Sequence, residues 1–186
     1  KYNNLIHKIK INLIGKIQLK NILMAIIASL ESNIEIKKIL KVISKIKPVE
    51  GRFERIGSIK NKSRVILDYA HTPDALKTCL ANLKEQFPGR KISLVFGCGG
   101  DRDKDKRAKM GRIADTLSNK IYLTDDNPRL ESPSKIRKDI KEGIKKQKVF
   151  EFPSRAKAII ESIKQLNTGE ILLVAGKGHE TVQEIG

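Results

Sequence analysis

From residue 63 onward, short apolar runs alternate with longer stretches whose apolar residues recur at helical spacing, and few folds accommodate that pattern. Residues 92–96 and 121–123 read as buried strands, 149–152 as a short strand and 171–175 as the most apolar strand of all. Between them, Thr72 caps a helix with Pro73 in its first turn and Leu76, Cys79, Leu80, Leu83 and Phe87 facing inward. Met110, Ile113, Ala114 and Leu117 mark the next helix. Ser134 opens another with Ile136, Ile140 and Ile144, and residues 154–166 form the last. Residues 53–59 and 63–67 read as a hairpin around Lys60-Asn61-Lys62. Such alternation predicts an α/β fold, a Rossmann-like and mostly parallel twisted sheet with helices on both faces.

Residues 1–47 follow a different rule. Ile9, Ile11 and Leu13 alternate with polar residues, which predicts a strand, and Leu19, Ile22, Leu23, Ile26, Ile27 and Leu30 share a helix face. Ser32-Asn33-Ile34-Glu35 has the form of a capping box, opening a second helix with Ile36, Ile39, Leu40, Ile43 and Ile46 inward. Two helices and a strand cannot bury these faces among themselves, so the segment reads as the helical tail of a second α/β domain. Pro48-Val49-Glu50-Gly51 is the expected boundary, which gives domains 1–47 and 48–186. A start without Met and an abrupt stop at Ile185-Gly186 suggest a fragment whose second domain is cut short at its end.

A net charge of +17 invites a nucleic-acid reading. The excess is lysine spread along every helix, aromatics make up 4%, and no helix-turn-helix or zinc-finger spacing appears, so a solvated surface explains it better. No run is long and apolar enough to span a bilayer, and no signal-peptide pattern is present. Two cysteines without metal-ligand spacing point to a reducing, cytoplasmic setting. Cys79 belongs to a core face, and Cys98 reads as a small filler.

The polar residues are distributed unevenly. Asp68-Tyr69-Ala70-His71-Thr72-Pro73-Asp74, Gly97 to Lys104, Asp126-Asn127-Pro128-Arg129 and Gly176-Lys177-Gly178-His179-Glu180 each follow the carboxyl end of an expected strand. That is the rim where open α/β sheets bind ligands. Pro128 stiffens the third cluster and pushes Asn127 into an extended conformation. Arg129 then offers a planar fork for a carboxylate, and Asp126 and Asn127 suit an ammonium group, a zwitterion grip. A plain polar turn is the alternative. The glycine-rich cluster lacks the order of a phosphate loop, and Arg102 stands where a dinucleotide fingerprint needs its third glycine. Its glycines would let backbone approach a ligand, with Arg102 reaching in as a fork. Asp101, Asp103 and Asp105 lack the glutamate that closes a calcium ring. His71 and His179 suit acid–base work or nucleotide hydrogen bonding, His7 carries no readable signal, and three scattered histidines do not make a zinc site.

Together these motifs resemble those of the Mur ligases, in particular the diaminopimelate-adding branch: Gly51-Arg52-Phe53-Glu54, Asp68 to Asp74, Phe96 to Lys104, Asp126-Asn127-Pro128-Arg129 and Ala175 to Glu180. The likeness runs in order from about Lys47. Residues 1–47 more loosely resemble the end of that family's central ATP-binding domain. There the family usually reads Gly-x-Phe-Asn-x-x-Asn, and this chain has Gly15-Lys16-Ile17-Gln18-Leu19-Lys20-Asn21. Gln18 departs from the pattern, and Asn21 fits its adenine contact.

The resemblance implies an ATP-dependent, amide-forming ligase of peptidoglycan precursor synthesis that adds meso-diaminopimelate to UDP-N-acetylmuramoyl-L-alanyl-D-glutamate through an acyl phosphate, with magnesium neutralising phosphate charge. Carried over by position, Arg102, Asn127, Arg129, Gly176 and Glu180 contact the amino acid, while Asp126 and Pro128 shape the loop. Asn21, Arg52, Asp68 and His71 contribute to ATP. No residue of the fragment is expected to act covalently or to hold metal. The phosphate loop, the magnesium-holding modified lysine and the UDP-binding domain would precede Lys1, leaving the fragment inactive alone. Alternatives are a lysine-adding ligase, disfavoured because lysine has no distal carboxylate for Arg129, and a basic nucleic-acid-binding module. A dinucleotide-dependent oxidoreductase is weakened by the broken glycine fingerprint.

Overall fold

The computed structural model describes residues 6–11, 13–58 and 62–185, and the chain divides into two compact units, Lys1–Val49 and Glu50–Gly186.

The first unit contains α1 (Lys16–Glu31) packed on α2 (Ile36–Ile43). Ile39 and Ile43 of α2 are buried, and Ile36, Leu40 and Ile46 are half-buried. No residue of α1 is buried. Ile22, Ile26 and Leu30 are half covered, while Leu19, Leu23 and Ile27 are exposed. Two expectations fail here. Residues 6–11, 13 and 14 form no strand, because an alternating run with no neighbouring strand has no ladder to satisfy its backbone. Ser32 does not open α2; it closes α1. Asn33 takes a left-handed φ of 60°, its N–H reaches Leu30 O at 2.9 Å, and the N–H of Ile34 reaches Ser29 O at 3.0 Å. That is a Schellman closure, and the Ser32 hydroxyl is spent on Ala28 O.

The second unit runs β1 (Glu54–Ser58), β2 (Arg64–Asp68), α3 (Pro73–Gln86), β3 (Ile92–Phe96), α4 (Asp105–Leu117), β4 (Lys120–Thr124), α5 (Pro133–Lys141), β5 (Lys148–Phe152), α6 (Arg155–Lys164) and β6 (Ile171–Ala175). The hairpin of β1 and β2 forms as expected, although residues 59–61 of its turn lie outside the described residues. Thr72 caps α3 through Ala75 N at 3.3 Å, with Pro73 at the first helical position. α5 begins earlier than expected: Ser132 is its N-cap, since Pro133 is preorganised for the first helical position. Ile144 therefore lies past the helix end, still half-buried.

The six strands lie in the order β1-β2-β6-β3-β4-β5, antiparallel only between β1 and β2. The direction of each crossover sets the faces. β2 to β3, β3 to β4 and β4 to β5 all step one way along the sheet, so right-handed crossovers place α3, α4 and α5 on one face. β5 to β6 steps back, so α6 takes the other. There it packs on Val95, Tyr122, Leu172 and Val174, with Val65, Leu67, Phe150 and Phe152 around them. The alternate strand row, including Ile66, Leu94, Phe96, Ile121, Leu123 and Leu173, is fully buried on the opposite side.

Candidate functional site

With all parallel strands pointing one way, the loops after β2, β3, β4 and β6 open at one rim. The loops after β3 and β4 are tied together. Gly100 N donates to Asn127 O at 2.8 Å, Leu130 N to Asp101 Oδ2 at 3.1 Å, and Asp101 N to Glu131 Oε1 at 2.7 Å. A Cβ on Gly97 would sit 2.2 Å from Thr124 O, and one on Gly100 would sit 1.9 Å from Pro128 O. These two glycines thus let two loops touch, where the sequence suggested approach to a ligand.

Beneath them lies Arg107, fully buried, which the sequence reading missed. Its fork holds both oxygens of Glu131 at 2.9 and 3.0 Å, and it also bonds Asp139 at 2.9 Å and Gly99 O at 3.3 Å. The hydrogen bonds from Arg107 lower the Glu131 carboxyl to about 2.

The Asp-Asn-Pro-Arg loop sits on this base. Its neighbour Asp125 is taken by Arg137, which also binds Glu151 at 2.7 Å, so only Asp126 of the two acids belongs to the rim. Asp126 Oδ1 accepts from Asn127 N at 2.8 Å, and its Oδ2 lies 4.0 Å from Arg155 Nη1. Arg155 Nη2 donates to Ala175 O at 2.8 Å, and burial lowers its guanidinium pKa. Arg129 adopts a left-handed φ of 51°. Its Nη1 donates to Gly100 O at 3.0 Å, and its Nε pairs with Glu184 at 2.7 Å.

Lys177 joins this loop to the one after β6. Its buried ammonium donates to Asn127 Oδ1 at 2.7 Å and to Glu180 Oε2 at 3.0 Å. Burial alone would raise Glu180, but hydrogen bonds from Lys177 and Tyr69 hold it below the usual carboxylate range. The same bond to Glu180 raises the Tyr69 hydroxyl. Gly176, at φ 113°, leaves room for Asp126, whose Oδ2 would be 3.0 Å from an added Cβ. Residues 181–185 then cross the loop. Gln183 donates to Asp126 O, Glu184 N to Asn127 Oδ1 at 3.1 Å, and Ile185 forms a parallel bridge with Arg129.

A second group flanks the first. Arg52 lies over the Tyr69 ring at 4.3 Å, His71 meets that ring edge-on at 4.7 Å, and His179 stacks on it at 5.8 Å. Lys106 donates to His71 O at 2.9 Å. Gly51 and Gly178 make close backbone contact, with a Gly178 Cβ only 2.8 Å from Gly51 O. Asp68 turns inward: it accepts from Phe53 N at 2.7 Å and Ala70 N at 2.8 Å, which makes it a brace for this corner. Arg102 is exposed just ahead of α4, and Asn21 belongs to the other unit, where it bonds Gln18 at 3.4 Å.

The structure thus joins Asp126, Asn127, Pro128, Arg129, Gly176 and Glu180 by direct contacts, with Arg102 on the adjoining loop. It adds Lys177, Glu184, Arg155, Arg107 and Glu131, which the sequence reading did not single out. Lys177 was legible, since a lysine between two glycines of a rim loop is a ready partner for Glu180. The others act through long-range contacts that leave no local pattern. Among the described residues no three His, Cys, Asp or Glu side chains group as a metal site. Cys98 is buried, with its thiol pushed up to about 12 by that burial, so it is not a nucleophile. The rim is built to hold charged groups in fixed positions.

Comparison with known proteins gives the family. The chain is 44% identical over its whole length to the UDP-N-acetylmuramoyl-L-alanyl-D-glutamate–2,6-diaminopimelate ligase of Rickettsia prowazekii, covering 38% of that protein. It is 48% identical over 93% of its length to the ligase of the same name from Buchnera aphidicola, covering 34% of it. A solved structure of a ligase of that name superposes with a TM-score of 0.71 at 36% identity, over 95% of this chain and 36% of the other. The chain therefore spans little more than a third of the length of these relatives. Residues 51–178, more than half of the chain, match the family model described as Mur ligase, glutamate ligase domain, and the chain belongs to the Mur ligase family.

Proposed function

We propose that the chain supplies the amino-acid-binding part of an ATP-dependent ligase that adds meso-diaminopimelate to UDP-N-acetylmuramoyl-L-alanyl-D-glutamate in cytoplasmic peptidoglycan precursor synthesis. The observation that carries this reading is the lock between two rim loops: Lys177 joins Asn127 to Glu180, with the Arg129 guanidinium held beside them. The names of the relatives supply the substrate class.

On this reading residues 48–186 form the amino-acid-binding domain, and residues 1–47 end the preceding ATP-binding domain. Arg102, Asp126, Asn127, Pro128, Arg129, Gly176 and Glu180 form the amino-acid site. Arg52 and His71, gathered around Tyr69, offer cationic and aromatic surface that fits a nucleotide, with Asp68 bracing them, and Asn21 is a separate candidate for a nucleotide contact within the first unit. The D-glutamyl carboxylate is activated as an acyl phosphate, with ATP as donor and magnesium offsetting phosphate charge, and the magnesium ligands lie mainly outside this segment. This chain's residues hold the incoming amino acid so that its amine meets the activated carbon, and such positioning lowers a bimolecular barrier by about 7–11 kcal/mol at best.

The test is amino-acid-dependent ADP release by the complete ligase. Diaminopimelate is expected to support it far better than lysine, because lysine brings no distal carboxylate to Arg129. Equal use of lysine would sink the reading. The isolated segment is expected to release no ADP.

A further inference from the structure

Arg107 stands in the first turn of α4 and is wholly buried, a costly place for a guanidinium unless its contacts are well made. Those contacts run in two directions. Nη1 reaches Asp139 of α5 at 2.9 Å, a scaffold contact between neighbouring helices. The rest of the fork faces the rim. It grips both oxygens of Glu131, and Nη2 donates to Gly99 O at 3.3 Å. Glu131 Oε1 in turn accepts from Asp101 N at 2.7 Å. The ion pair therefore holds one end of each peptide unit that flanks Gly100: the carbonyl of Gly99 and the N–H of Asp101. A trans peptide unit carries its N–H and C=O on opposite sides, so holding one end aims the other. The two free ends both face the loop after β4. Gly100 N donates to Asn127 O at 2.8 Å, and Gly100 O accepts from Arg129 Nη1 at 3.0 Å.

We infer that Arg107 is a positioning residue for amino-acid binding, acting with Glu131 to orient the two peptide units around Gly100 that seat the Arg129 guanidinium. This rests on the proposed function and deepens it. Arg107 itself touches no ligand, since Glu131 and Gly99 stand between it and the rim. Joining α4 to α5 needs only the arm to Asp139, whereas the three bonds to Glu131 and Gly99 O serve the loop. The backbone there needs holding. Asp101 and Arg129 both take left-handed φ values of 51°, a sparsely populated region for residues with a side chain. Asp101 is fixed by its N–H on Glu131 and by Oδ2 accepting from Leu130 N at 3.1 Å. Arg102 follows it directly, so the same clasp sets where that side chain starts.

The experiment separates the two directions of the fork in steady-state ligation by the complete enzyme, well below the unfolding midpoint of every variant. Arg107→Lys keeps the charge but cannot hold two Glu131 oxygens and Gly99 O together. It is expected to raise the KM for diaminopimelate by about tenfold or more, as for loss of a charged hydrogen bond, with the KM for ATP nearly unchanged. Glu131→Gln, which keeps the shape and loses the charge, is expected to shift the same KM in the same direction. Asp139→Asn weakens only the scaffold arm. It is expected to lower the unfolding midpoint and leave the KM for diaminopimelate as in the wild type. Should Arg107→Lys fail to fold, Glu131→Gln and Asp139→Asn decide the question between them. An unchanged KM in Glu131→Gln overturns the inference, as does an equal rise in Asp139→Asn, since KM would then follow stability alone. Either result leaves the proposed function standing. A wild type that does not ligate diaminopimelate overturns the proposed function and this inference with it.

Discussion

The ammonium of Lys177 donates to Asn127 at 2.7 Å and to Glu180 at 3.0 Å, bridging two loops that lie 50 residues apart in sequence. Removing it leaves a partly buried carboxylate without its main partner. Lys177→Met is expected to lower stability by about 1–3 kcal/mol, the cost of leaving a buried polar group unsatisfied. Urea unfolding of the wild type and the variant checks this, and an unchanged midpoint refutes the bridge as a stabilising contact.

Arg129 carries the carboxylate end of the proposed site. In the complete ligase, Arg129→Ala is expected to weaken diaminopimelate use by about 2–5 kcal/mol in kcat/KM, as for a truncated enclosed charge pair. Unchanged kinetics with that amino acid would remove Arg129 from the site.

Gly100 is where the two rim loops meet most closely, and an added methyl would lie 1.9 Å from Pro128 O. That atom is backbone, so the loops must separate. Gly100→Ala is expected to cost about 1–3 kcal/mol of stability as overpacking and to raise the KM for the amino acid through displacement of Arg129. Gly89→Ala serves as a control: nothing stands near its Cβ, although its φ of 74° adds local backbone strain. A loss of amino-acid affinity confined to Gly100→Ala identifies loop contact as the cause.

Acid stability should depend on Glu131. Arg107 lowers its carboxyl from 4.5 to about 2 in the folded chain, so the folded state favours the charged form. Its stabilising contribution is full above about pH 4.5 and fades as pH falls through about 2. Glu131→Gln is expected to unfold more readily than the wild type at neutral pH and to converge with it toward pH 2. Parallel pH–stability curves would contradict the pairing with Arg107.

Much of the sheet was legible because its signals are local. Residues 171–175 are apolar without a break and residues 92–96 are apolar apart from the small Ser93, as suits strands buried on both faces, and β6 and β3 form there. Thr72-Pro73 likewise marked the start of α3 by cap chemistry alone. The failures have physical causes. Ser32 satisfied the capping-box pattern, but the left-handed Asn33 claimed the segment for the end of α1. The rim clusters were recognisable by composition, while their internal wiring was not. Asp125 and Asp126 are chemically alike and adjacent, and only their distant partners, Arg137 and Arg155, separate a scaffold acid from a rim acid. Glu184 gave no local signal because its meaning depends on the tail folding back over Arg129.

The position of β6 governs how the second unit can be assembled. β2 and β3 do not pair with each other; each pairs only with β6 on the side between them. A growing chain therefore emerges with its two halves unjoined and two bonding edges open, and the strand that welds them follows all five of the other described strands. Every partial product that stops short of Ala175 exposes those edges to neighbouring chains, so aggregation during synthesis competes with folding until β6 slides into the gap.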